Sequence, residues 1–277
     1  MLGRTRAATP LGLTPRDRHF DERRDGFLSL LQLLLVAGAG LAAGAINSIA
    51  GAGSLITFPT LLAIGVPPLK ANVSNSIGLI PGSLSGAYGF RDELRGHLRA
   101  VASLTLPMCL GALLGAFLLL RLPPRVFEVV VPVLVAGAAL LVVAQPRFVA
   151  ARAPAGPKRV PLQVGLFLVG TYGGYFGAAQ GIMLLAVLGV FVNESLQRVN
   201  AYKTLIAGAA ACVAAVYFVV LAPISWPHTL VLAGSSLVGG RVGALIARRI
   251  PERPLRLGIG VFGLLVAVRL AIGYHLL

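Results

Sequence analysis

The chain has 277 residues, of which 57% are hydrophobic and only 12% charged, and its mean hydropathy is +0.86. A soluble domain carries roughly a quarter charged residues, so water is excluded as the main solvent and an all-α polytopic helix bundle in a lipid bilayer is predicted. The formal net charge of +15 does not point to nucleic acid, because the Lys and Arg residues lie between apolar runs, as orientation determinants beside a membrane do, and form no basic face on a soluble fold.

Residues 1–26 mix six Arg with Asp17, Asp21, Glu22 and Asp25 and carry no apolar stripe. They lack the basic start, apolar centre and small-residue cleavage site of a signal peptide, so an uncleaved disordered tail is expected. From Phe27 to Val66 no residue is formally charged, and one straight helix of that length would span roughly 60 Å, twice the hydrocarbon core. The run is therefore expected to break in the Gly-, Asn- and Ser-rich stretch Gly44 to Ser54 (GAINSIAGAGS), leaving a short second helix. Spanning helices are predicted over Ala71 to Phe90, Leu98 to Leu120 and Val126 to Ala144, then a loop over 145–160. A second uncharged run, Val160 to Asn193, has its own Gly-rich centre at Gly170 to Gly181 (GTYGGYFGAAQG) and is predicted as another broken pair. Ala201 to Leu221, Thr229 to Ala247 and Leu255 to His275 complete the chain.

Each half thus has five elements, with repeat 1 over 27–144 and repeat 2 over 161–277. A shift of 126 positions lays Gly44 on Gly170, Gly51 on Gly177, Ala52 on Ala178 and Ile56 on Ile182; after a two-residue gap Lys70 meets Arg198, Asn72 meets Asn200 and Ser76 meets Thr204. Five crossings are an odd number, so the halves are expected to run in opposite senses, as inverted repeats with the broken helices at the centre. Alternate loops gather Arg91, Arg95, Arg99, Arg147, Arg152, Lys158, Arg159, Arg198, Lys203, Arg248, Arg249, Arg253 and Arg256 on one side, and only Lys70, Arg121 and Arg125 on the other. The first side is expected to be cytoplasmic, in a plasma or inner cell membrane, although the Arg-bearing tail then falls outside.

Pro59, Pro81, Pro107 and Pro132 interrupt predicted helices, which only neighbouring helices can satisfy. Glycines four apart, Gly82 with Gly86, Gly111 with Gly115 and Gly239 with Gly243, suit close backbone approach. Cys109 and Cys212 are expected to pack, and the four His stand apart, so neither a metal nor a cofactor is expected. No carboxylate pair, Ser-His-Asp set, phosphate loop or HExxH pattern suits catalysis, which argues against an enzyme.

Gly-rich backbone at membrane depth is tolerated only where it is buried or lines a wet cavity. The breaks are therefore the expected binding region for a small anionic substrate, with donors from Asn47, Ser48, Gly51, Gly53 and Ser54 in the first half and Gly177, Gln180 and Gly181 in the second. The competing reading is that the glycines only permit tight helix crossing. Matched polar clusters follow each break. Asn72, Asn75 and Ser76 share one helical face and Asn200, Lys203 and Thr204 another; these hydroxyls and amides could replace an oxyanion's water, with Lys203 supplying charge. Two readings of Lys203 stand, one deep in the bundle and one snorkelling to the interface. Tyr172 and Tyr175 either line the pocket or pack. Arg241 and Arg269 are expected to snorkel, and neither Glu128 nor Glu194 makes a convincing proton relay.

The stretch AGAINSIAGAGSLITFPTLLAIGVPPLKANVSNSIGLIPGSLSGAYGFRDEL (Ala43 to Leu94), with GGYFGAAQGIML and LQRVNAYKTLIAG in the second half, resembles the TauE/SafE family of sulfite and organosulfur-anion exporters. The resemblance implies a multi-helix secondary transporter, linked to sulfite, sulfoacetate, thiosulfate and related compounds. Two departures stand where selectivity would be set: the breaks read AGAGS and GAAQG where relatives often have three glycines, and Ala201-Tyr202-Lys203-Thr204 replaces the common Ala-x-Lys-Asn. The alternative is a membrane interaction or assembly protein on the same fold. Cargo, direction, coupling ion and oligomeric state, homo-oligomer included, are left open.

Overall fold

The computed structural model describes residues 15–150, 159–246 and 252–273, and among these it is a bundle of twelve helices with no strand. They are α1 (Pro15–Ile49), α2 (Ser54–Ala63), α3 (Pro68–Gly78), α4 (Ile80–Gly89), α5 (Arg91–Leu94), α6 (Leu98–Arg121), α7 (Pro124–Ala150), α8 (Arg159–Tyr175), α9 (Gln180–Phe191), α10 (Leu196–Leu221), α11 (Trp226–Ile246) and α12 (Glu252–Gly273). Five of them hold a segment long and apolar enough to cross a membrane: Leu30–Ile49, Leu98–Arg121, Arg125–Ala144, Gln197–Leu221 and Trp226–Ile246. Leu34, Leu106, Val216, Leu230 and Leu265 are exposed on the outer faces, where apolar side chains face lipid without cost.

Both long uncharged runs are broken as expected, but more sharply. α1 continues through Asn47 and Ser48 to Ile49, and only residues 50–53 separate it from α2; residues 176–179 separate α8 from α9. Each break opens with a glycine in the left-handed region, Gly51 at φ 74° and Gly177 at φ 76°, where a side chain would be strained. The amides make the same bonds in both halves, Gly51 N–H to the Ile46 carbonyl and Gly177 N–H to the Tyr172 carbonyl, each at 3.1 Å.

Three expectations are corrected. Ala71 to Phe90 is not one helix, since α3 and α4 meet at Leu79; Pro81 has no N–H for the Ile77 carbonyl and its ring crowds that turn. α10 begins at Leu196, five residues before the expected start, because Ser195 caps it by accepting the Arg198 N–H at 3.3 Å. Residues 15–26, read as part of a disordered tail, continue α1, which starts at Pro15 and meets no glycine or further proline before Gly26. The rest of that tail, residues 151–158 of the inter-repeat loop and the basic residues Arg152, Lys158, Arg248 and Arg249 lie outside the described residues, while 145–150 continue α7.

Packing follows the small residues. α1 lies along α11 and α6 along α8, while α7 packs on α12 and α4 on both α10 and α11. A Cβ on Gly239 would come within 2.1 Å of the Leu41 carbonyl, and one on Gly111 within 2.1 Å of the Phe167 carbonyl, so these helices touch backbone to backbone. The two interfaces mirror each other. Gly44 of α1 faces the Ser236 carbonyl and Gly240 amide of α11, whereas Gly170 of α8 faces the Met108 carbonyl and Ala112 amide of α6. α1 at the start of the chain therefore lies against α11, and α8, at the start of the second uncharged run, lies against α6.

Candidate functional site

Where the two breaks meet, their backbones touch: a Cβ on Gly51 would lie 2.8 Å from the Gly181 Cα. Beside this contact is a cavity of about 90 Å³, room for a few waters or one small solute and well below the space a drug-sized ligand fills. Of the residues expected from sequence, Asn47, Ser48, Gly51, Ser54, Ser76, Gly177, Gln180, Gly181, Lys203 and Thr204 line it.

Gly53, Asn72, Asn75 and Asn200 do not line it, and the hydrogen bonds show what they do instead. The Gly53 N–H donates to Asn47 Oδ1 at 2.7 Å, which fixes the entry into α2. Asn72 Nδ2 donates to the Tyr175 carbonyl at 2.9 Å, capping the end of α8, and Thr57 donates its hydroxyl proton to Asn75 Oδ1. Asn200 Oδ1 accepts from Lys203 Nζ at 3.1 Å. A helical face is wide enough for only part of it to reach the cavity; the other part braces the breaks.

The walls come in pairs related by the sequence repeat. Asn47 and Gly173, Ser48 and Gly174, Gly51 and Gly177, and Ser54 and Gln180 are equivalent in the broken pairs; Ser76 and Thr204, Leu79 and Ala207, and Ser83 and Ala211 are equivalent on α3–α4 and α10. Their chemistry differs. The first half contributes the Asn47 amide and the Ser48, Ser54, Ser76 and Ser83 hydroxyls, whereas the second contributes mainly Gly and Ala together with Gln180, Thr204 and Lys203, the only charged lining residue among those described.

Lys203 has only 2% of its surface exposed. Among the described residues no carboxylate lines the cavity. The Ser76 and Thr204 hydroxyls are each turned back at 2.8 Å to the carbonyl four residues earlier, of Asn72 and Asn200. Lys203 borders the cavity with its ammonium bonded to Asn200, and the other groups that face a solute are the Ser54 hydroxyl, the Asn47 and Gln180 side-chain amides, and the backbone N–H groups of Ser54 and Gly181 in the first turns of α2 and α9, which have no intrahelical acceptor. Such a lining offers protons and positive helix ends to whatever enters, the chemistry that receives an anion.

Sequence reasoning missed Ser83, Phe176 and the Ala207, Ala211, Ala214 and Phe218 face of α10, all of which line the cavity. The spacing held a signal, because Ser83 lies two turns beyond Ser76 on one face and Ala211 lies two turns beyond Thr204. Tyr172 and Tyr175 pack outside the lining. The Tyr172 hydroxyl donates to the Ala178 carbonyl at 2.6 Å and so pins the second break from behind. At one end of the bundle Arg198 pairs with Glu194, which stands 3.9 Å from His97 Nδ1, and at the other the Ser225 N–H donates to Ser74 Oγ at 2.9 Å.

Residues 36–270 match the family description Sulfite exporter TauE/SafE. Among curated proteins, the chain is similar to a "Probable membrane transporter protein" of Haemophilus influenzae, 26% identical over 78% of this chain and 85% of that protein. It is similar also to "Probable membrane transporter protein ORF9" of a Sinorhizobium species, 26% identical over 87% and 92% of the two chains. A third relative, "Probable membrane transporter protein YfcA" of Escherichia coli K12, is 23% identical over 90% of this chain and 93% of its own. With a match that runs from α1 into α12 and takes in both breaks, the chain belongs to the TauE/SafE sulfite exporter family and is a membrane transporter, not an enzyme.

Proposed function

We propose that this transporter is a multi-pass protein of the cell membrane that exports a small sulfur-containing anion, sulfite or a small sulfonate, through the cavity at the two breaks. The observation that carries the reading is the lining itself: one buried cation, amide and hydroxyl donors, two helix N-termini and, among the described residues, no carboxylate. A cation in that cavity would find no charge to replace its hydration, whereas an oxyanion would find donors for several oxygens. The cavity's size favours a compact tetrahedral or pyramidal anion over a large organic one. The family supports export of sulfite as the starting hypothesis.

The reciprocal contacts of α1 with α11 and of α8 with α6, and the paired cavity walls, are what a two-fold axis through the site would produce. They support an inverted repeat whose halves rock about the breaks to expose the cavity to either side in turn. Purified protein in proteoliposomes, loaded with sulfite, thiosulfate, sulfoacetate or sulfate, tests the reading through efflux of each anion. Saturable efflux of at least one of them, above that of protein-free vesicles, is the expected result. Efflux at the protein-free rate for the whole panel would sink the proposal.

A further inference from the structure

A second feature lies on the outer surface, away from the cavity. Tyr88, near the end of α4, is 60% exposed, and two guanidinium groups from different elements stand over its ring: Arg91 at the start of α5, 4.8 Å from the centroid, and Arg241 of α11 at 5.2 Å. The ring holds both charges in place by cation–π attraction. Among the described residues neither guanidinium has a carboxylate within 4 Å, and Asp92, next to Arg91 in the chain, pairs with Arg95 at 3.3 Å instead.

Its surroundings are apolar. Leu84 lies one turn before Tyr88 on α4, and Leu237 and Leu245 lie one turn to either side of Arg241 on α11; all three are exposed. The two rows flank the seam where α4 and α11 touch at Gly82 and Gly240. Arg241 lies five residues from the end of α11, where its side chain can snorkel to the interface and its charge can be met by a headgroup. The site combines two rigid forks suited to phosphate oxygens with a leucine-walled seam below them, on the side where the loops are richest in arginine.

We propose that Tyr88, Arg91 and Arg241 form a binding site for the headgroup phosphate of an anionic glycerophospholipid, whose acyl chains lie along the α4–α11 seam. The site is a lipid site rather than a site for free phosphate, because the apolar rows continue directly from the charged cluster.

The test uses the full-length protein in detergent micelles doped with phosphatidylglycerol or phosphatidylcholine, with retained lipid counted by native mass spectrometry and stability followed by thermal unfolding. Two arginines at a membrane surface give a roughly thirtyfold preference for the anionic lipid, together with a higher unfolding midpoint. The Arg91→Gln, Arg241→Gln double variant is expected to bring the preference close to parity, and Arg269→Gln, which removes a single charge from the exposed face of α12, to leave it intact. Tyr88→Leu, which keeps the apolar surface and removes the ring, is expected to lower it severalfold and serves where the double variant does not fold. Equal retention of the two lipids by wild type, an equal loss in Arg269→Gln, an unchanged preference in Tyr88→Leu, or the same stabilisation by soluble glycerol phosphate would each overturn the proposal.

Discussion

Lys203 lies two turns inside α10, about 10 Å from its start at Leu196. From sequence its depth could not be decided, because the apolar run was counted from Ala201; the Ser195 cap extends the helix backwards and carries the lysine inward. A lysine at membrane depth costs about 2.5–3.5 kcal/mol on insertion scales, and Asn200 answers that charge with an amide oxygen. Lys203→Met, which keeps the length and removes the charge, is therefore expected to lower anion efflux at least about tenfold while leaving the unfolding midpoint unchanged or higher. Efflux at the wild-type rate from this variant would remove Lys203 from the site. Tyr172 acts differently. Its hydroxyl bond to the Ala178 carbonyl is worth about 1 kcal/mol, so Tyr172→Phe is expected to lower stability by that amount in a denaturant titration, and no measurable loss would mean that the second break holds without it.

At the scale of elements, the breaks were legible because an uncharged run twice the thickness of the hydrocarbon core cannot be one helix, and because Gly, Asn and Ser cluster where it must end. Which polar residues face the cavity was legible only in part: Asn47, Ser48, Ser54, Ser76, Gln180, Lys203 and Thr204 line it as expected. Asn72, Asn75 and Asn200 have the right spacing, yet their bonds to the Tyr175 carbonyl, the Thr57 hydroxyl and Lys203 turn them aside, and those partners are far away in sequence or on the next turn. The kink at Leu79 was visible as Pro81 but hidden by the unbroken hydrophobicity around it. Two glycines separate strain from crowding. Gly65 and Gly51 both have positive φ, but a Cβ meets nothing within 4 Å at Gly65 and a backbone Cα at 2.8 Å at Gly51. Gly65→Ala is expected to cost only the left-handed penalty of about 1–2 kcal/mol. Gly51→Ala is expected to cost roughly 3 kcal/mol or more and to abolish efflux, because it also separates the breaks. Equal effects in unfolding and flux measurements would mean that the contact between the breaks carries no weight.

For the whole molecule, the class was legible from composition alone, and the order of the elements, more than identities, is what suggests the repeat proposed above. The packing of α1 on α11 and of α8 on α6 was not, because it rests on glycines meeting carbonyls of helices distant in the chain, Gly44 at Ser236 and Gly170 at Met108. The orientation inferred from the loops makes its own prediction. In a background lacking Cys109 and Cys212, Arg95→Cys is expected to react with a membrane-impermeant thiol reagent only from the cytoplasmic side and Pro223→Cys only from the opposite side; labelling of both from one side would contradict it. The central claim is that the donors around the two breaks receive a small oxyanion, and anomalous diffraction from crystals soaked in selenite tests it most directly. The account predicts a selenium peak in the cavity within hydrogen-bonding reach of Lys203 Nζ and the Ser54 and Gly181 amides. An empty cavity at a concentration that saturates transport, or a peak lodged elsewhere in the bundle, would contradict it.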